Sequence, residues 1–73
     1  MDVKMYLISY ETRAIGAIGA WGSTTDALEA ESLRAALQKF RDKYSSSFEL
    51  RLPIYALVRN SSGKYVDART IEA

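Results

Sequence analysis

Histidine and cysteine are both absent from this chain of 73 residues, and each absence removes a kind of chemistry. Without histidine, the chain lacks the side chain that most often serves as a general base near neutral pH. Without cysteine, it has no thiol nucleophile, no disulfide and no thiolate ligand for zinc. No pair of carboxylates stands in a pattern typical of a catalytic cleft. We therefore expect a protein that is not an enzyme and that uses no metal, no cofactor and no small-molecule substrate.

Long apolar runs are also missing. The apolar residues 5–8 are too few for the hydrophobic region of a secretory signal, and a membrane-spanning helix needs about 20 apolar residues. We expect a cytoplasmic protein that does not enter a membrane. The length predicts a single domain over residues 1–73, close to the lower limit at which a core is stable without disulfides or metal.

The charges are unevenly distributed along the chain, although the formal net charge is only +1. Residues 1–33 carry two basic and five acidic side chains, whereas the remainder carries eight basic and four acidic ones. A dedicated nucleic-acid binder usually has a larger basic excess. The polarised charge favours docking onto the charged surface of another protein.

Residues 32–44 carry the pattern of one amphipathic helix. Apolar side chains recur at the i, i+4, i+7 and i+11 spacing of a helical stripe. They are Leu33, Leu37, Phe40 and Tyr44, with Ala36 beside them. Ser32 is a suitable N-cap, and Arg41 and Lys43 suit the last turn. An alternative start at Asp26, with Glu29 in a capping-box-like position, is less favoured because residues 28–31 alternate like a strand.

Four segments on either side of this helix have the composition or the alternation of β-strands. They are residues 3–10, 24–31, 48–59 and 64–70. Pro53 cannot donate to a ladder and so marks a bulge, a bend or an edge, and residues 60–63 form a hairpin turn. The order ββαββ predicts a small α+β domain in which an antiparallel sheet carries one amphipathic helix on one face.

Residues 14–22 repeat a three-residue unit that ends in glycine, Ala-Ile-Gly twice and then Ala-Trp-Gly. This period fits neither a strand nor an α-helix. The glycines lack the G-x-G of a dinucleotide fingerprint and the Gly-Lys of a P-loop, so we do not expect a phosphate site. We interpret residues 13–25 as a flexible arm. Its Ile15, Ile18 and Trp21 either pack against the edge of the core or fold onto a partner.

Strict alternation divides the strand residues into two sets, and we expect one set to lie under the helix and the other on the opposite face. The residues expected under the helix are Val3, Met5, Leu7, Phe48, Leu50, Leu52, Val66 and Ala68. Those expected on the opposite face are Lys4, Tyr6, Ile8, Tyr10, Arg51, Tyr55, Leu57, Arg59, Tyr65 and Arg69. Four of the five tyrosines would then be uncovered.

Such a face has three interpretations. The first is a protein-binding surface, because tyrosine and arginine are enriched at binding hot spots. The second is a solvated sheet face without any ligand, because cross-strand pairs of these residues stabilise a sheet by themselves. The alternative function is a single-stranded nucleic-acid-binding module in which tyrosines stack on bases. The residues of that alternative are Arg51, Tyr55, Arg59, Tyr65 and Arg69.

The opening MDVKMYLISYETRAIGAIGAW and the closing IYALVRNSSGKYVDA, in a chain of this size and composition, resemble small early transcription regulators of lytic bacterial viruses, of the Xanthomonas phage type. The resemblance extends over the whole chain and contains no catalytic or binding motif. It implies a non-enzymatic inhibitor in the host cytoplasm that binds bacterial RNA polymerase at the N-terminal region of its β′ subunit. It also implies interference with σ-dependent initiation, through displacement of the sigma factor, and antitermination.

The contact residues expected for a partner come from the residue pattern rather than from the resemblance. Val3, Lys4, Met5 and Tyr6 of the first strand could accept a peptide by strand addition. Ile15, Ile18 and Trp21 of the arm complete the expected interface.

Overall fold

The computed structural model describes residues 3–72 and contains one four-stranded antiparallel sheet with helices packed on one side. Its elements in chain order are β1 (Lys4–Ala14), β2 (Gly22–Ala30), α1 (Leu33–Tyr44), β3 (Phe48–Arg59), β4 (Tyr65–Asp67) and α2 (Ala68–Glu72). The strand order is β2-β1-β3-β4, so β1 and β3 are central. The predicted α+β class is confirmed. In the described part of the chain, no helix is long and apolar enough to cross a membrane.

The main helix agrees with its prediction. Ser32 is the N-cap of α1, and its hydroxyl accepts a hydrogen bond from the amide of Ala35 at 3.2 Å. Leu33, Ala36 and Phe40 are buried, as the apolar stripe requires. The alternative start at Asp26 is wrong, because that residue pairs within the sheet.

The prediction for the two faces of β1 is wrong. Tyr6, Ile8 and Tyr10 are buried under α1, whereas Val3, Met5 and Leu7 lie off the core. Both faces of this strand are apolar, so alternation alone does not decide between them. The tyrosine rings offer large apolar surfaces for burial, and the ring of Tyr10 stacks on Phe40 with the centroids 4.9 Å apart.

Strand β3 breaks the strict alternation that was predicted for it. Its pairing with β1 shifts register on both sides of the pair Tyr10 and Pro53, which confirms the irregularity expected at the proline. The shifts turn Leu52 out of the core, and 74% of this residue is exposed. Ile54 is exposed as well. The prediction that Leu52 lies under the helix is therefore wrong.

The C-terminal segment is strand for only three residues. The predicted strand over residues 64–70 is wrong after Asp67, since Ala68–Glu72 is the helix α2. The Asp67 carboxylate accepts a hydrogen bond from the amide of Arg69 at 2.9 Å, as an N-cap does. The predicted turn is confirmed, with the Gly63 amide bonded to the Asn60 carbonyl at 3.0 Å and a φ of 86° at Gly63.

The predicted arm is shorter than residues 13–25. Strand β1 continues through Ala14 and β2 begins at Gly22, so only residues 15–21 connect them. Gly16 and Gly19 have φ values of 84° and 124°, which other residues rarely adopt. The two isoleucines of the connection are exposed, to 97% in Ile18, whereas Trp21 is half-buried.

Candidate functional site

Both helices pack against one side of the sheet and leave the other side uncovered within residues 3–72. We call this uncovered side the open face. The register and the alternation of side chains define its members. They are Met5, Leu7, Ser9, Glu11 and Arg13 of β1, Ser23, Thr25, Ala27 and Glu29 of β2, Glu49, Tyr55, Leu57 and Arg59 of β3, and Tyr65 and Asp67 of β4.

A short apolar row crosses the open face near one of its ends. Ala27, Leu7 and Leu57 form a row across three neighbouring strands, since Leu7 pairs with both of the other two. Met5 lies beside this row, and Val3, just before the strand, is exposed. Burying such a row against another apolar surface would be favourable, so this end is suited to a contact with a partner.

The next row along the strands carries hydroxyl groups. The Thr25 hydroxyl donates to Ser9 Oγ at 2.9 Å, and the Tyr55 hydroxyl lies 3.5 Å from Thr25 Oγ1. Ser9 is only 2% exposed, although it belongs to the face that no helix covers. The hydroxyl groups of Thr25 and Ser9 therefore bond to each other, and the Tyr55 hydroxyl lies at the edge of this row.

Trp21 occupies the opposite end of the open face, between two arginines. The guanidinium carbons of Arg13 and Arg51 lie 4.5 and 4.9 Å from the centre of its ring. Arg13 is also bonded to one carboxylate oxygen of Glu49, through Nε at 3.0 Å and Nη2 at 2.8 Å. The ring is therefore half-buried and held by cation–π contacts rather than standing free as an anchor.

Charged residues lie on both borders of the open face. Glu29 is exposed on β2, and Arg59 is exposed on β3 with Arg51 beyond it. Among residues 3–72, neither Arg51 nor Arg59 has a carboxylate within salt-bridge distance. The next cation, Arg69, lies 4.0 Å from an Asp67 oxygen. The side of the open face along β3 and β4 therefore carries both signs of charge, because Asp67 pairs with Leu57 and Glu49 is bonded to Arg13.

Tyr6 is not available as a contact residue, which corrects that part of the predicted interface. Its side chain is fully buried, and its hydroxyl donates to the Glu72 carboxylate at 2.7 and 2.9 Å. Burial, together with the nearby negative charge of that carboxylate, raises the pKa of Tyr6 well above the usual range. The hydrogen bond between Tyr6 and Glu72 connects α2 to the core.

Glu72 is the centre of a small polar cluster that sequence patterns did not indicate. Besides the Tyr6 hydroxyl, it accepts the amide proton of Leu33 at 2.9 Å, and Lys4 Nζ is 3.8 Å away. Burial opposes the charge of Glu72, but these hydrogen bonds and the lysine lower its pKa below the ordinary value. Lys4, predicted as a contact residue, is thus part of an intramolecular ion pair.

The seven predicted contact residues do not form one compact patch. Val3 and Met5 lie at one end of β1, and Ile15, Ile18 and Trp21 lie beyond its other end, about 34 Å away along an 11-residue strand. Strand addition to β1 is also restricted, because the strand pairs with β2 along most of its length and with β3 from Tyr6 onward. A single partner contacting both ends would have to lie along the sheet.

The alternative nucleic-acid residues are only partly brought together. Tyr55 and Tyr65 belong to the open face with Arg59, and Arg51 lies at the Trp21 end. Arg69 lies on α2, where its Nη2 donates to the carbonyl of Ile54 at 3.3 Å. The predicted four-tyrosine face does not form, since Tyr6 and Tyr10 are in the core.

The residues missed by sequence reasoning are those whose position depends on pairing. Leu7 and Thr25 gave no signal of their own, because a leucine and a threonine in strands are ordinary.

No group of three acidic side chains within residues 3–72 is arranged to hold a metal ion. A groove of about 350 Å³ is lined in part by Lys4, Arg59, Ile71 and Glu72. Lys4 and Glu72 form the ion pair described above, which joins β1 to α2.

The fold and the open face define a small two-layer α+β protein with one sheet surface free for contact. Comparisons with protein-family models, with curated proteins and with solved structures found no match.

Proposed function

We propose that this protein is a non-enzymatic module that binds another protein through the open face. The partner we propose is bacterial RNA polymerase, at the N-terminal region of β′, with loss of σ-dependent initiation and with antitermination as the consequences in the host cytoplasm. The resemblance to small phage regulators supports the choice of partner. The geometry of the sheet supports the kind of activity.

The observation that carries the proposal is the uncovered apolar row of Ala27, Leu7 and Leu57. A sheet buries one face in its own core, and the second face of an independent small domain is ordinarily polar. Here the second face has apolar side chains in neighbouring positions on three strands. Protein partners cover patches of this kind, with arginine and tyrosine at their borders.

The test is direct binding of the purified chain to RNA polymerase core enzyme and to an isolated N-terminal fragment of β′. Leu57→Lys places a charge in the apolar row while its aliphatic stem can still cover the sheet. We expect about 30-fold weaker binding, the effect of losing one hot-spot residue, and a matching loss of inhibition of σ-dependent transcription.

The matched control is Ile71→Lys, which puts the same charge on an exposed residue of α2. It should bind with wild-type affinity. Equal affinities for wild type, Leu57→Lys and Ile71→Lys would contradict the use of the open face. An absence of any binding to core enzyme or fragment would contradict the choice of partner.

The nucleic-acid alternative has less support from this arrangement. Stacking requires exposed rings, and Tyr6 and Tyr10 are buried. Tyr55 and Tyr65 remain on the open face. Binding to single strands that falls steeply with salt, and that is lost in Tyr55→Ala and Tyr65→Ala, would favour the alternative over the protein partner.

A further inference from the structure

We propose that the connection between β1 and β2, residues 15–21, anchors the protein on a lipid bilayer by inserting its tip into the interfacial layer. We call this segment the apolar connection. The proposal goes beyond the proposed function, because it concerns a different part of the molecule and a different kind of partner. It departs from the expectation, drawn from the lack of long apolar runs, that the protein does not enter a membrane.

The apolar connection contains no polar side chain. It reads Ile-Gly-Ala-Ile-Gly-Ala-Trp, and every residue before Trp21 is exposed. Ile15 is 57% exposed, and Ile18, at 97%, is the most exposed large apolar residue in the described part of the chain. Exposed connections ordinarily carry polar residues. A contiguous apolar segment on the surface marks a contact with another protein or with lipid.

The apolar connection lies at one tip of an elongated molecule. The described chain measures 41 × 20 × 19 Å, and β1 alone spans about 34 Å, so the strands run along the longest dimension. The turn between α1 and β3 lies beside the connection, since the Ile15 amide donates to the Ser47 carbonyl at 3.4 Å. A bilayer could therefore receive the tip while the sheet and the helices remain in water.

The side chains at this tip are arranged in layers that match a bilayer interface. Ile18 is outermost, Trp21 lies at the base directly before β2, and the guanidinium groups of Arg13 and Arg51 flank its ring. In a bilayer, aliphatic side chains enter the acyl region, tryptophan favours the headgroup level and arginine binds lipid phosphates. An apolar pocket in a protein would not require this order, so the order favours lipid as the partner.

The backbone of the apolar connection limits the depth of insertion. The Ala17 amide donates to the Ala14 carbonyl at 3.0 Å, and the Gly19 carbonyl accepts from Arg13 Nη1 at 3.4 Å. The connection is neither helix nor strand, so its other polar backbone groups need water or lipid headgroups as partners. We therefore place the backbone at headgroup depth, with only the isoleucine side chains reaching the acyl chains.

The charges near the tip are mixed, so apolar burial has to supply most of the affinity. Arg13 is bonded to Glu49, and Glu11 adds a negative charge two residues before Arg13. Among residues 3–72, Arg51 has no carboxylate within salt-bridge distance. One arginine near an anionic surface corresponds to about a fivefold gain in affinity. We expect binding to neutral vesicles and a modest preference for anionic ones.

The first experiment uses Trp21 as a reporter, because it is the only tryptophan in the sequence. The full chain is titrated with vesicles of phosphatidylcholine, alone or mixed with phosphatidylglycerol. Insertion should shift the emission of Trp21 to shorter wavelength, and lipids brominated on their acyl chains should quench it. The mixed vesicles should bind about fivefold more tightly than the neutral ones.

The second experiment places a charge at the tip. Ile18→Asp should weaken partitioning into both kinds of vesicle by about 30-fold, because it replaces the most exposed apolar side chain with a carboxylate. The matched control is Ile71→Asp on α2, where the same change is made at a residue that is 63% exposed. The control should bind like the wild type, and circular dichroism should show that both variants are folded.

The outcomes separate this inference from the proposed function. Leu57→Lys should leave vesicle binding unchanged, so a failure to bind polymerase does not affect the membrane anchor. The anchor is overturned if the wild type neither sediments with vesicles nor shifts its emission, or if Ile18→Asp binds vesicles as tightly as the wild type. It is also overturned if Ile18→Asp weakens binding to the β′ fragment while the wild type ignores vesicles, because the connection would then contact a protein.

Discussion

Tyr6 and Glu72 are 66 positions apart in the sequence, and the tyrosine hydroxyl donates to Glu72 Oε2 at 2.7 Å. The same carboxylate accepts the amide proton of Leu33 at the start of α1. One side chain from the C-terminal helix thus satisfies a buried hydroxyl of the central strand and an amide that the first turn of α1 leaves free.

Removing the Tyr6 hydroxyl should reduce stability. We expect Tyr6→Phe to lower the free energy of unfolding by about 1–2 kcal/mol, because Glu72 would keep its burial and lose its shortest hydrogen bond. Urea denaturation followed by circular dichroism measures the change. Tyr65→Phe is the control, since Tyr65 lies at the exposed edge of the sheet, and it should unfold like the wild type. A loss of equal size in both variants would contradict the role of the Tyr6–Glu72 bond.

Acid should destabilise the protein through Glu72 and Asp26. Hydrogen bonds lower the pKa of Glu72, and those from Lys43 and Tyr44 lower the pKa of Asp26. Carboxylates with a depressed pKa bind protons more readily in the unfolded chain, so their stabilisation is present above the unfolded pKa of about 4. It is lost as pH falls through the lower folded values.

The measurement is the thermal midpoint as a function of pH between 7 and 2. Asp26→Asn and Glu72→Gln should each flatten the decrease below about pH 4. Glu31→Gln, at an exposed position, should leave the pH profile unchanged. If the midpoints of Asp26→Asn and Glu72→Gln both fall with pH as steeply as that of the wild type, acid destabilisation does not act through these two carboxylates.

Replacing a glycine of the β1–β2 connection by alanine should lower the free energy of unfolding through backbone strain alone. Gly16 has a φ of 84° and nothing lies within 4 Å of a Cβ placed there, so any cost arises from the backbone. We expect Gly16→Ala to destabilise by about 1 kcal/mol. Gly22→Ala is the control, because its added Cβ would make an ordinary contact at 3.9 Å with the Thr12 carbonyl. Chemical denaturation of both variants tests the difference, and equal stabilities would contradict it.

Alanine at Tyr6 and lysine at Met5 should affect partner binding for different reasons. Tyr6→Ala removes a buried aromatic ring, at a cost of about 3–5 kcal/mol, so the chain should lose its fold along with its binding. Met5→Lys changes the open face, and we expect weaker binding with unchanged circular dichroism. A folded Tyr6→Ala protein that binds poorly would indicate that the tyrosine contacts the partner directly.

Local sequence patterns predicted the parts of the fold that depend on neighbouring residues. Helix α1 was predicted within one residue because Ser32, the apolar stripe and the basic last turn act within the segment itself. The turn before β4 was predicted for the same reason, since Gly63 supplies the positive φ that it requires.

The faces of β1 and the end of the chain were mispredicted because their structure depends on distant residues. Alternation left Met5 and Tyr6 equally acceptable under the helix, and contacts with Phe40 and Glu72 favoured the tyrosine side. In β3, the register shifts at Pro53 displaced Leu52 from its expected side. The candidate site changed accordingly, from a face of four tyrosines to an apolar row bordered by side chains of both charges.

By itself, the sequence determined that this is an α+β protein with an amphipathic helix, without thiol or imidazole chemistry, and with its positive charge concentrated after Leu33. Those properties depend on composition and on short-range periodicity. The tertiary structure alone decided which apolar face of β1 was buried and which became the open face. The reason is that side chains alternate in every strand, so only the long-range pairing of strands and the packing of the helices decide which alternate set is covered.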